Sequence, residues 1–335
     1  MLIFCILTIV VFSGHKTQVL PVLAVPTCEP FACIPELLYV DWPTCACVSN
    51  GDDAPIPTPP PTPTPVPPLA PKGVGLPYSY SSHCEDVGAV GAQWQYNWSP
   101  NPQNCLNVEN VPMIWGASDA NALLNGTATL GGNSQYILGF NEPDMRGQAN
   151  LSVQVAADLW YQIELKYPNK KLVAPAPSHN DTYHTWLPGF RTAFQNTYGR
   201  PPRLDALAAH CYAVPFLGQS WTSCQDDIEW YEARVDEWNI PGGIWVTEYG
   251  FLANNCSGLN CNWTTAVSAL NSYTDWLQTR PKVKRYAWFA SRISGTEPWW
   301  PSELYTTRLI QCPDHPNVSC IPGSLSPFGT AYQAQ

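Results

Sequence analysis

Two glutamates each follow a short apolar run in this sequence, and they lie far apart along the chain. Glu142 stands within residues 139–144 and Glu248 within residues 245–250. The preceding apolar residues predict short buried strands, because they occupy both faces and turn residues end each run. Glutamate is poorly suited to a strand interior and is almost never fully buried without a partner. The pattern therefore predicts two carboxyl groups at strand ends that face one cleft.

Two carboxyl groups in one cleft are the minimum apparatus for hydrolysing a glycosidic bond. One donates a proton to the leaving oxygen, while the other attacks the anomeric carbon or activates a water molecule. A separation of about 5 Å gives retention of configuration and a wider gap gives inversion, which the sequence does not measure. The alternative for each glutamate is a surface acid or a structural ion-pair partner.

Eight apolar runs alternate with longer amphipathic stretches from residue 72 to residue 335, and this predicts an α/β fold, a (β/α)8 TIM barrel. The predicted strands cover residues 73–76, 89–94, 111–115, 136–140, 171–174, 206–210, 244–247 and 285–289. Helices are predicted over 153–166 and 263–277, where apolar residues recur at helical spacing. Glu142 then ends the fourth strand and Glu248 the seventh. The C-terminal ends of barrel strands rim a single pocket, so the two residues can meet there.

The chain before the barrel divides into three segments by composition. Residues 1–24 are predicted to be a signal peptide, with an apolar run followed by small residues before the cleavage point. An uncleaved membrane anchor is the alternative, because no Lys or Arg precedes the apolar run. Residues 25–53 are a Cys-rich segment, interpreted as a disulfide-braced extension, with a small carbohydrate-binding module as the alternative. Residues 54–71 are rich in Pro and Thr and predict an extended polyproline II linker.

The net charge indicates which partners the protein can bind, and the cysteines indicate the cellular compartment. The net charge of −10 argues against a nucleic-acid partner, which needs a basic face. The 13 cysteines include no CxxC pair, so they predict disulfides rather than a zinc site. Disulfides form in oxidising compartments, and a secreted, extracellular protein is therefore predicted.

Cysteines of the barrel are close enough in sequence to predict local disulfides that brace the loops around the cleft, although sequence does not fix connectivity. The predicted pairs are Cys84–Cys105, Cys211–Cys224, Cys256–Cys261 and Cys312–Cys320. A nucleophilic Cys211 beside His210 is the alternative for that residue. Adjacent residues of a strand point to opposite faces, which argues against it.

Four longer motifs resemble one known family. LGFNEPD (138–144), WVTEYG (245–250), YAWF (286–289) and SLSPFGTAY (324–332) together resemble glycoside hydrolase family 128, a clan A family of endo-β-1,3-glucanases. The resemblance spans roughly residues 72–335. It implies a retaining TIM-barrel enzyme in which Glu142 is the acid/base and Glu248 the nucleophile. It also implies that Asn141 binds the sugar 2-hydroxyl and that His210 and Tyr212 orient the nucleophile.

Aromatic residues near the predicted strand ends are candidates for binding the sugar, because a sugar ring packs well on an aromatic plane. Trp288 is predicted to stack under the sugar at the cleavage point, and Trp94, Tyr96 and Trp98 alternate and so share one face of a strand. Further candidates are Trp115, Tyr249, Trp299 and Trp300. Core packing is the alternative for these aromatics, as it is for His210 and Tyr212. Trp245 is expected to point toward the helices and is left out of the site.

The sequence thus predicts a secreted, monomeric, retaining endo-β-1,3-glucanase whose partner is a β-1,3-glucan chain. No cofactor and no metal are expected, because the two carboxyl groups supply both proton transfer and nucleophile. A non-catalytic β-glucan-binding protein on the same barrel is one alternative. A clan A hydrolase of another β-linked polysaccharide is the other, because the catalytic pair does not choose the linkage.

Overall fold

The chain divides into two compact units, Met1–Val66 and Pro67–Gln335. The computed structural model describes residues 38–41, 46–49, 69–77, 84–178, 183–213, 221–251, 263–292 and 323–335. In the first unit, strands β1 (Leu38–Asp41) and β2 (Ala46–Ser49) pair antiparallel. The predicted signal peptide lies outside the described residues, as does the linker up to residue 68.

Strands and helices alternate along the second unit, which confirms the predicted α/β class. The strands are β3 (Lys72–Gly75), β4 (Trp94–Tyr96), β5 (Glu109–Asn110), β6 (Tyr136–Leu138), β7 (Lys171–Val173), β8 (Leu207–Ala213), β9 (Ile244–Phe251) and β10 (Val283–Trp288). The helices are α1 (Cys84–Ala89), α2 (Ala117–Leu124), α3 (Val153–Lys166), α4 (Tyr183–Tyr198), α5 (Trp221–Trp238), α6 (Trp263–Gln278) and α7 (Pro327–Ala334). None of the helices within the described ranges has the length and apolar character needed to cross a membrane.

Helix α3 shows how sequence sets an element of this unit. Its N-cap Ser152 accepts a hydrogen bond from the backbone N–H of Val155, which satisfies one of the free donors of the first turn. Ala156, Trp160 and Ile163 recur at helical spacing and are buried. The predicted bounds of this helix are therefore confirmed.

All strand pairings among the described residues of the second unit are parallel. A six-stranded sheet has the order β5-β4-β3-β10-β9-β8, and β6 pairs with β7 in a separate two-stranded sheet. Isolated parallel bridges join Met113 to Leu138 and Val173 to Ala206, between the two sheets. The succession of pairings therefore follows the order of a (β/α)8 barrel, with single bridges at two positions where a regular barrel has a ladder.

The second predicted strand, 89–94, is wrong over most of its length. Residues 84–89 form α1, a turn follows in which Gly91 has a φ of +65°, and β4 begins at Trp94. Small apolar residues such as Ala89, Val90 and Ala92 fit a buried helix end as well as a strand. Periodicity does not separate the two over so short a run.

Buried side chains form two layers, one on each side of the strands. The outer layer joins strand residues such as Val246 and Leu207 to helix residues such as Trp160 and Leu270. The buried members of the inner cluster come from the strands and the residues directly beside them: Trp94, Tyr96, Val111, Met113, Leu138, Val173, Ala176, Ala206, Ala208, Trp245 and Ala287. Residues at the C-terminal ends of the strands, such as Trp98 and Trp115, thus pack against the inner cluster.

Strand β9 contains one extra residue relative to both of its neighbours. Ala209 pairs with Val246 but His210 pairs with Glu248, and the register against β10 shifts over the same stretch. Such a bulge changes which face the following side chains occupy. Trp245 therefore belongs to the inner cluster although Glu248 also points inward, and the expectation that Trp245 points toward the helices was wrong. Strict alternation counted back from Glu248 misses the extra residue.

Candidate active site

Glu142 and Glu248, from opposite parts of the sequence, meet at His210. His210 Nδ1 lies 2.9 Å from Glu142 Oε1 and 3.4 Å from Glu248 Oε2. One atom from each of the three side chains can be chosen so that all lie within 4.8 Å of one another. All three residues are buried, with 9% of Glu142 and 4% of Glu248 exposed. Two carboxyl groups that face one point are what the sequence predicted.

Both oxygens of Glu248 accept hydrogen bonds from neutral donors. Trp98 Nε1 donates to Oε1 at 2.7 Å, and the Tyr212 hydroxyl donates to Oε2 at 2.6 Å. The Tyr96 hydroxyl donates to the Thr247 carbonyl at 2.8 Å and lies 3.5 Å from Glu248 Oε1. Donors aimed at both oxygens stabilise the ionised form of a carboxyl group.

Burial and neighbouring charges have opposing effects on the pKa values of Glu248 and His210. Burial raises the pKa of Glu248, and the neighbouring Glu142 adds to that rise, while His210, Tyr212 and Trp98 oppose it. Burial lowers the pKa of His210, but the two glutamates outweigh it and the net pKa is raised. The pKa of Tyr212 lies well above its usual range because of burial and the nearby Glu248, so its hydroxyl remains a donor. The charge of His210 and that of Glu248 therefore depend on each other.

The backbone at two of these residues adopts the left-handed region. Glu142 has a φ of 41° and Trp98 a φ of 55°. The other non-glycine residues with positive φ among those described are asparagines, which tolerate this region well. A glutamate and a tryptophan are held there at a cost, and such residues cluster at functional sites. The hydrogen bond from Glu142 N to the Ala176 carbonyl, at 2.7 Å, helps to hold this conformation.

Asn141 and Asp144 flank Glu142 and make different contacts. Asn141 Nδ2 donates to Gln148 Oε1 at 3.2 Å, while its buried Oδ1 has no hydrogen-bond partner within the described residues. Asp144 accepts hydrogen bonds from the backbone N–H and the hydroxyl of Ser178, which ties the end of the β7 segment to this loop. Asn141 Oδ1 can thus accept a hydrogen bond from a ligand beside the carboxyl pair, whereas Asp144 connects two segments of the protein.

His210 and Tyr212 lie on one face of β8, as the alternation predicted, and both contact Glu248. Cys211 between them points to the other face and is bonded to Cys224, at the start of α5. This disulfide and Cys84–Cys105 are two of the four predicted pairs. Cys256–Cys261 and Cys312–Cys320 lie outside the described residues. The disulfide argues against the alternative of a nucleophilic Cys211.

Three aromatic candidates are core residues instead. Trp288 is 1% exposed and packs in the outer layer against Tyr249, Phe328 and Tyr332. Tyr249 is fully buried in the same layer, where its hydroxyl lies 2.9 Å from Thr274 Oγ1. Trp94 is fully buried in the inner cluster. The prediction that these three bind substrate was therefore wrong.

Phe289 takes the place that was predicted for Trp288. Ala287 belongs to the inner cluster and Trp288 to the outer layer, so alternation directs Phe289 inward. Its ring lies 5.5 Å from that of Trp98 and 5.7 Å from that of Tyr212, edge to face. Every residue of the YAWF run is apolar or aromatic, so residue type alone does not indicate which two point inward.

The remaining aromatic candidates divide by position. Trp98 lies in the site and contacts Glu248 directly. Trp115 is half-buried, packs against the inner cluster, and its backbone carbonyl accepts from Asn141 N–H. Trp299 and Trp300 lie outside the described residues. Tyr96, a member of the predicted aromatic set, reaches the site through its hydroxyl.

Glu142, His210 and Glu248 also offer a donor set of one imidazole and two carboxylates, which a divalent cation accepts in many proteins. Here N–H and O–H donors point at both Glu248 oxygens, and a cation bound to those oxygens competes with them. The donor pattern around Glu248 favours an anion held by hydrogen bonds over a metal ligand.

Comparison with known proteins finds a family and a set of similar structures. A model described as glycosyl hydrolase catalytic core matches residues 75–332. A GH128 subgroup I endo-beta-1,3-glucanase from Amycolatopsis mediterranei, solved with laminaritriose, is 29% identical with a TM-score of 0.59, over 79% of this chain and 99% of that one. A subgroup II endo-beta-1,3-glucanase from Pseudomonas viridiflava is 26% identical with a TM-score of 0.54, over 78% and 98%.

A subgroup III curdlan-specific exo-beta-1,3-glucanase from Blastomyces gilchristii, in complex with glucose, is 24% identical with a TM-score of 0.53, over 79% of this chain and 98% of that one. That level of identity shows a shared fold alone. No curated protein sequence matches the chain.

Proposed function

The chain belongs to the glycosyl hydrolase catalytic core family, and from that premise we propose that it is a retaining endo-β-1,3-glucanase. The observation that carries the mechanism is the approach of Glu142 and Glu248, whose closest oxygens lie within 4.8 Å. Retaining glycosidases hold their carboxyl groups about 5–5.5 Å apart, whereas inverting enzymes leave roughly 6.5–9.5 Å for a water molecule. The short distance supports double displacement.

The hydrogen bonds divide the roles between the two glutamates. Glu248 accepts from Trp98 and Tyr212 on its two oxygens, and these hydrogen bonds favour the ionised form that a nucleophile needs. Glu142 accepts from His210 on one oxygen and is the general acid/base. In this assignment Glu142 is the group that donates a proton to the leaving oxygen.

Two steps follow from these roles. Glu142 protonates the glycosidic oxygen while the Glu248 carboxylate attacks the anomeric carbon, so the C–O bond to the leaving sugar breaks as the bond to Glu248 forms. Glu142, now ionised, takes a proton from water, whose oxygen displaces Glu248 from the anomeric carbon. Asn141, whose Oδ1 has no hydrogen-bond partner among the described residues, supplies a contact for the sugar 2-hydroxyl.

The choice of a β-1,3-glucan rests on what similar proteins act on. The Amycolatopsis mediterranei structure contains laminaritriose, and the subgroup I and II structures are endo-acting enzymes. Endo action is proposed on the same ground. Residues 252–262 and 293–322, which follow β9 and β10 in the sequence, lie outside the described residues.

The test is to incubate the protein with laminarin and with a panel that includes β-1,4-linked and mixed-linkage glucans. Hydrolysis is measured by the formation of new reducing ends and by analysis of the products. We expect laminarin to be cut internally, with the β-configuration kept in the first product. Glu248→Gln should lose nearly all turnover while retaining oligosaccharide binding. Glu142→Ala should lose activity on laminarin but much less on aryl glycosides with good leaving groups, which need no acid.

The exposed Glu237, which contacts Arg234 and the Trp238 indole N–H on α5, provides the control. Glu237→Gln should leave turnover unchanged. Binding of laminarin without new reducing ends in the wild type would favour the non-catalytic alternative. Cleavage of another glucan but not of laminarin would support the catalytic role of the two carboxyl groups and contradict the proposed β-1,3 linkage.

We also propose that the protein is exported and that the catalytic domain follows a signal peptide, a Cys-rich segment and a Pro-rich linker. The disulfides Cys84–Cys105 and Cys211–Cys224 support this, because such bonds persist in oxidising compartments.

A further inference from the structure

Trp98 stands at the end of β4, directly beside the carboxyl pair. Its indole Nε1 donates to Glu248 Oε1 at 2.7 Å, the distance of a strong charge-assisted hydrogen bond. Its backbone has a φ of 55°, in a region that a bulky residue rarely adopts. The chain thus turns at Trp98, two residues after β4 ends, and this turn directs the indole toward Glu248.

The indole is fixed from three sides. The Tyr96 ring lies 4.8 Å away at 61°, and the Phe289 ring lies 5.5 Å away at 81°. Gly75, at the end of the neighbouring strand β3, faces the same ring, and a Cβ on that residue would come within 2.5 Å of Trp98 Cη2. A glycine there leaves the space that the ring occupies, so its position depends on a residue of another strand.

The chemistry of an indole suits a contact with a nucleophilic carboxylate. Its N–H only donates, unlike the Tyr212 hydroxyl, which both donates and accepts. An indole therefore stabilises the ionised carboxylate and cannot accept a proton from it.

We propose that Trp98 is a positioning residue that holds Glu248 ionised and in place through its indole N–H, and that Gly75 reserves the space for it. The proposal deepens the proposed function, on which it rests, and replaces the role of a sugar-stacking platform. A stacking platform presents its face to the ligand, whereas here the ring edge that carries the N–H is directed at Glu248.

The direct test is a titration of Glu248 by ¹³C NMR in protein labelled at the glutamate carboxyl carbon, with the signal assigned from Glu248→Gln. Loss of a hydrogen bond to the charged form favours protonation, so Trp98→Phe should raise the titration midpoint of Glu248 by about one pH unit. Trp160→Phe is the matched control, because that buried indole also loses one N–H contact, to the Arg203 carbonyl, away from the site. Its midpoint should equal that of the wild type.

Kinetics supply the second readout. Trp98→Phe should lower kcat more than it changes KM, and the acid limb of kcat/KM should move to higher pH with the NMR midpoint. An unchanged midpoint in Trp98→Phe, with a raised KM and intact kcat, would overturn the proposal in favour of sugar stacking.

Gly75→Ala keeps the indole and displaces it, so it tests the same contact if Trp98→Phe does not fold. It should also raise the midpoint, and an unshifted midpoint in this folded variant would count against the proposal. The titration needs no turnover. If the wild type cuts no glucan but Trp98→Phe still raises the Glu248 midpoint, only the proposed function is contradicted. If the wild type is active and Trp98→Phe leaves the midpoint unchanged, only the role of Trp98 is contradicted.

Discussion

At the scale of single residues, the site depends on the contacts that His210 makes with Glu142 and Glu248. His210 Nδ1 contacts both glutamates, and its Nε2 is buried with no hydrogen-bond partner within the described residues. The imidazole therefore connects the two carboxyl groups and has no other described polar contact. A residue placed in this way senses the charge of both glutamates, which a packing histidine does not.

The raised pKa of Glu248 predicts how stability responds to pH when the charge is removed. Burial and Glu142 raise the pKa of Glu248 in the folded state above its value in the unfolded chain. The folded protein is therefore most stable below the unfolded-state pKa, where the carboxyl group is neutral, and it loses this stability as pH rises through the folded-state pKa. Glu248→Gln mimics the neutral form. We expect its Tm to exceed that of the wild type by a few degrees at pH 7.

The difference in Tm should shrink to nothing near pH 4, where the wild-type carboxyl is also protonated, and thermal scans across this range measure it. Glu237→Gln, at an exposed residue, should show no such trend. A Glu248→Gln variant less stable than the wild type at pH 7 would mean that the carboxylate is a net stabilising group.

At the scale of elements, strands β8 and β9 position most of the site. The extra residue in β9 turns Glu248 inward while Val246 and Tyr249 face the helices. On β8, His210 and Tyr212 face inward, and Cys211 between them is tied to α5 through Cys224. The disulfide thus fixes the strand that carries two contacts to the carboxyl pair.

Removing this disulfide should affect both stability and chemistry. The variant Cys211→Ala/Cys224→Ala opens a link between residues 13 apart, which should cost about 2–3 kcal/mol of unfolding free energy. We also expect kcat on laminarin to fall severalfold, because His210 and Tyr212 lose their support. Urea unfolding and steady-state kinetics measure the two effects.

The control is Cys84→Ala/Cys105→Ala, which removes the disulfide between α1 and the segment after β4, of separation 21. It should cost a similar unfolding free energy with a smaller change in kcat. Equal losses of kcat in both variants would show that the disulfides act only through overall stability.

At the scale of the whole catalytic unit, buried polar contacts join its beginning to its end. Asp86 on α1 forms a two-pronged ion pair with Arg292, with distances of 2.6 and 2.8 Å, and also accepts from Gly323 N–H. Lys72 Nζ donates to the Tyr332 carbonyl, and the Tyr332 hydroxyl donates to the Gly73 carbonyl. The first strand and helix of the unit are therefore held to residues beyond the last strand.

Breaking the buried pair should be costly. Asp86 is fully buried and Arg292 is 1% exposed, so Asp86→Asn leaves an uncompensated buried guanidinium. We expect a loss of about 3–5 kcal/mol in the free energy of unfolding, measured with urea. Replacing both residues, as Asp86→Leu/Arg292→Met, should restore much of it. A loss below about 1 kcal/mol, the range of exposed pairs such as Arg234–Glu237, would contradict this account.

The sequence by itself determined the class of fold and predicted the pair of carboxyl groups. Alternation of apolar runs with amphipathic stretches is a local property, and it predicted the α/β order and the bounds of α3. The glutamates were identified because a carboxyl group at the end of an apolar strand has no packing role, and the alternation around Cys211 placed His210 and Tyr212 on one face.

Only the tertiary structure decided which aromatic residues face the site. Trp94, Tyr249 and Trp288 are core residues, and Phe289 and Tyr96 contact the site, because every residue of these runs is apolar enough for either face. One inserted residue in β9 reversed the side of Trp245, since a strand bulge depends on the register of two neighbouring strands. Register and distance arise from pairing between remote segments, and local sequence does not contain them.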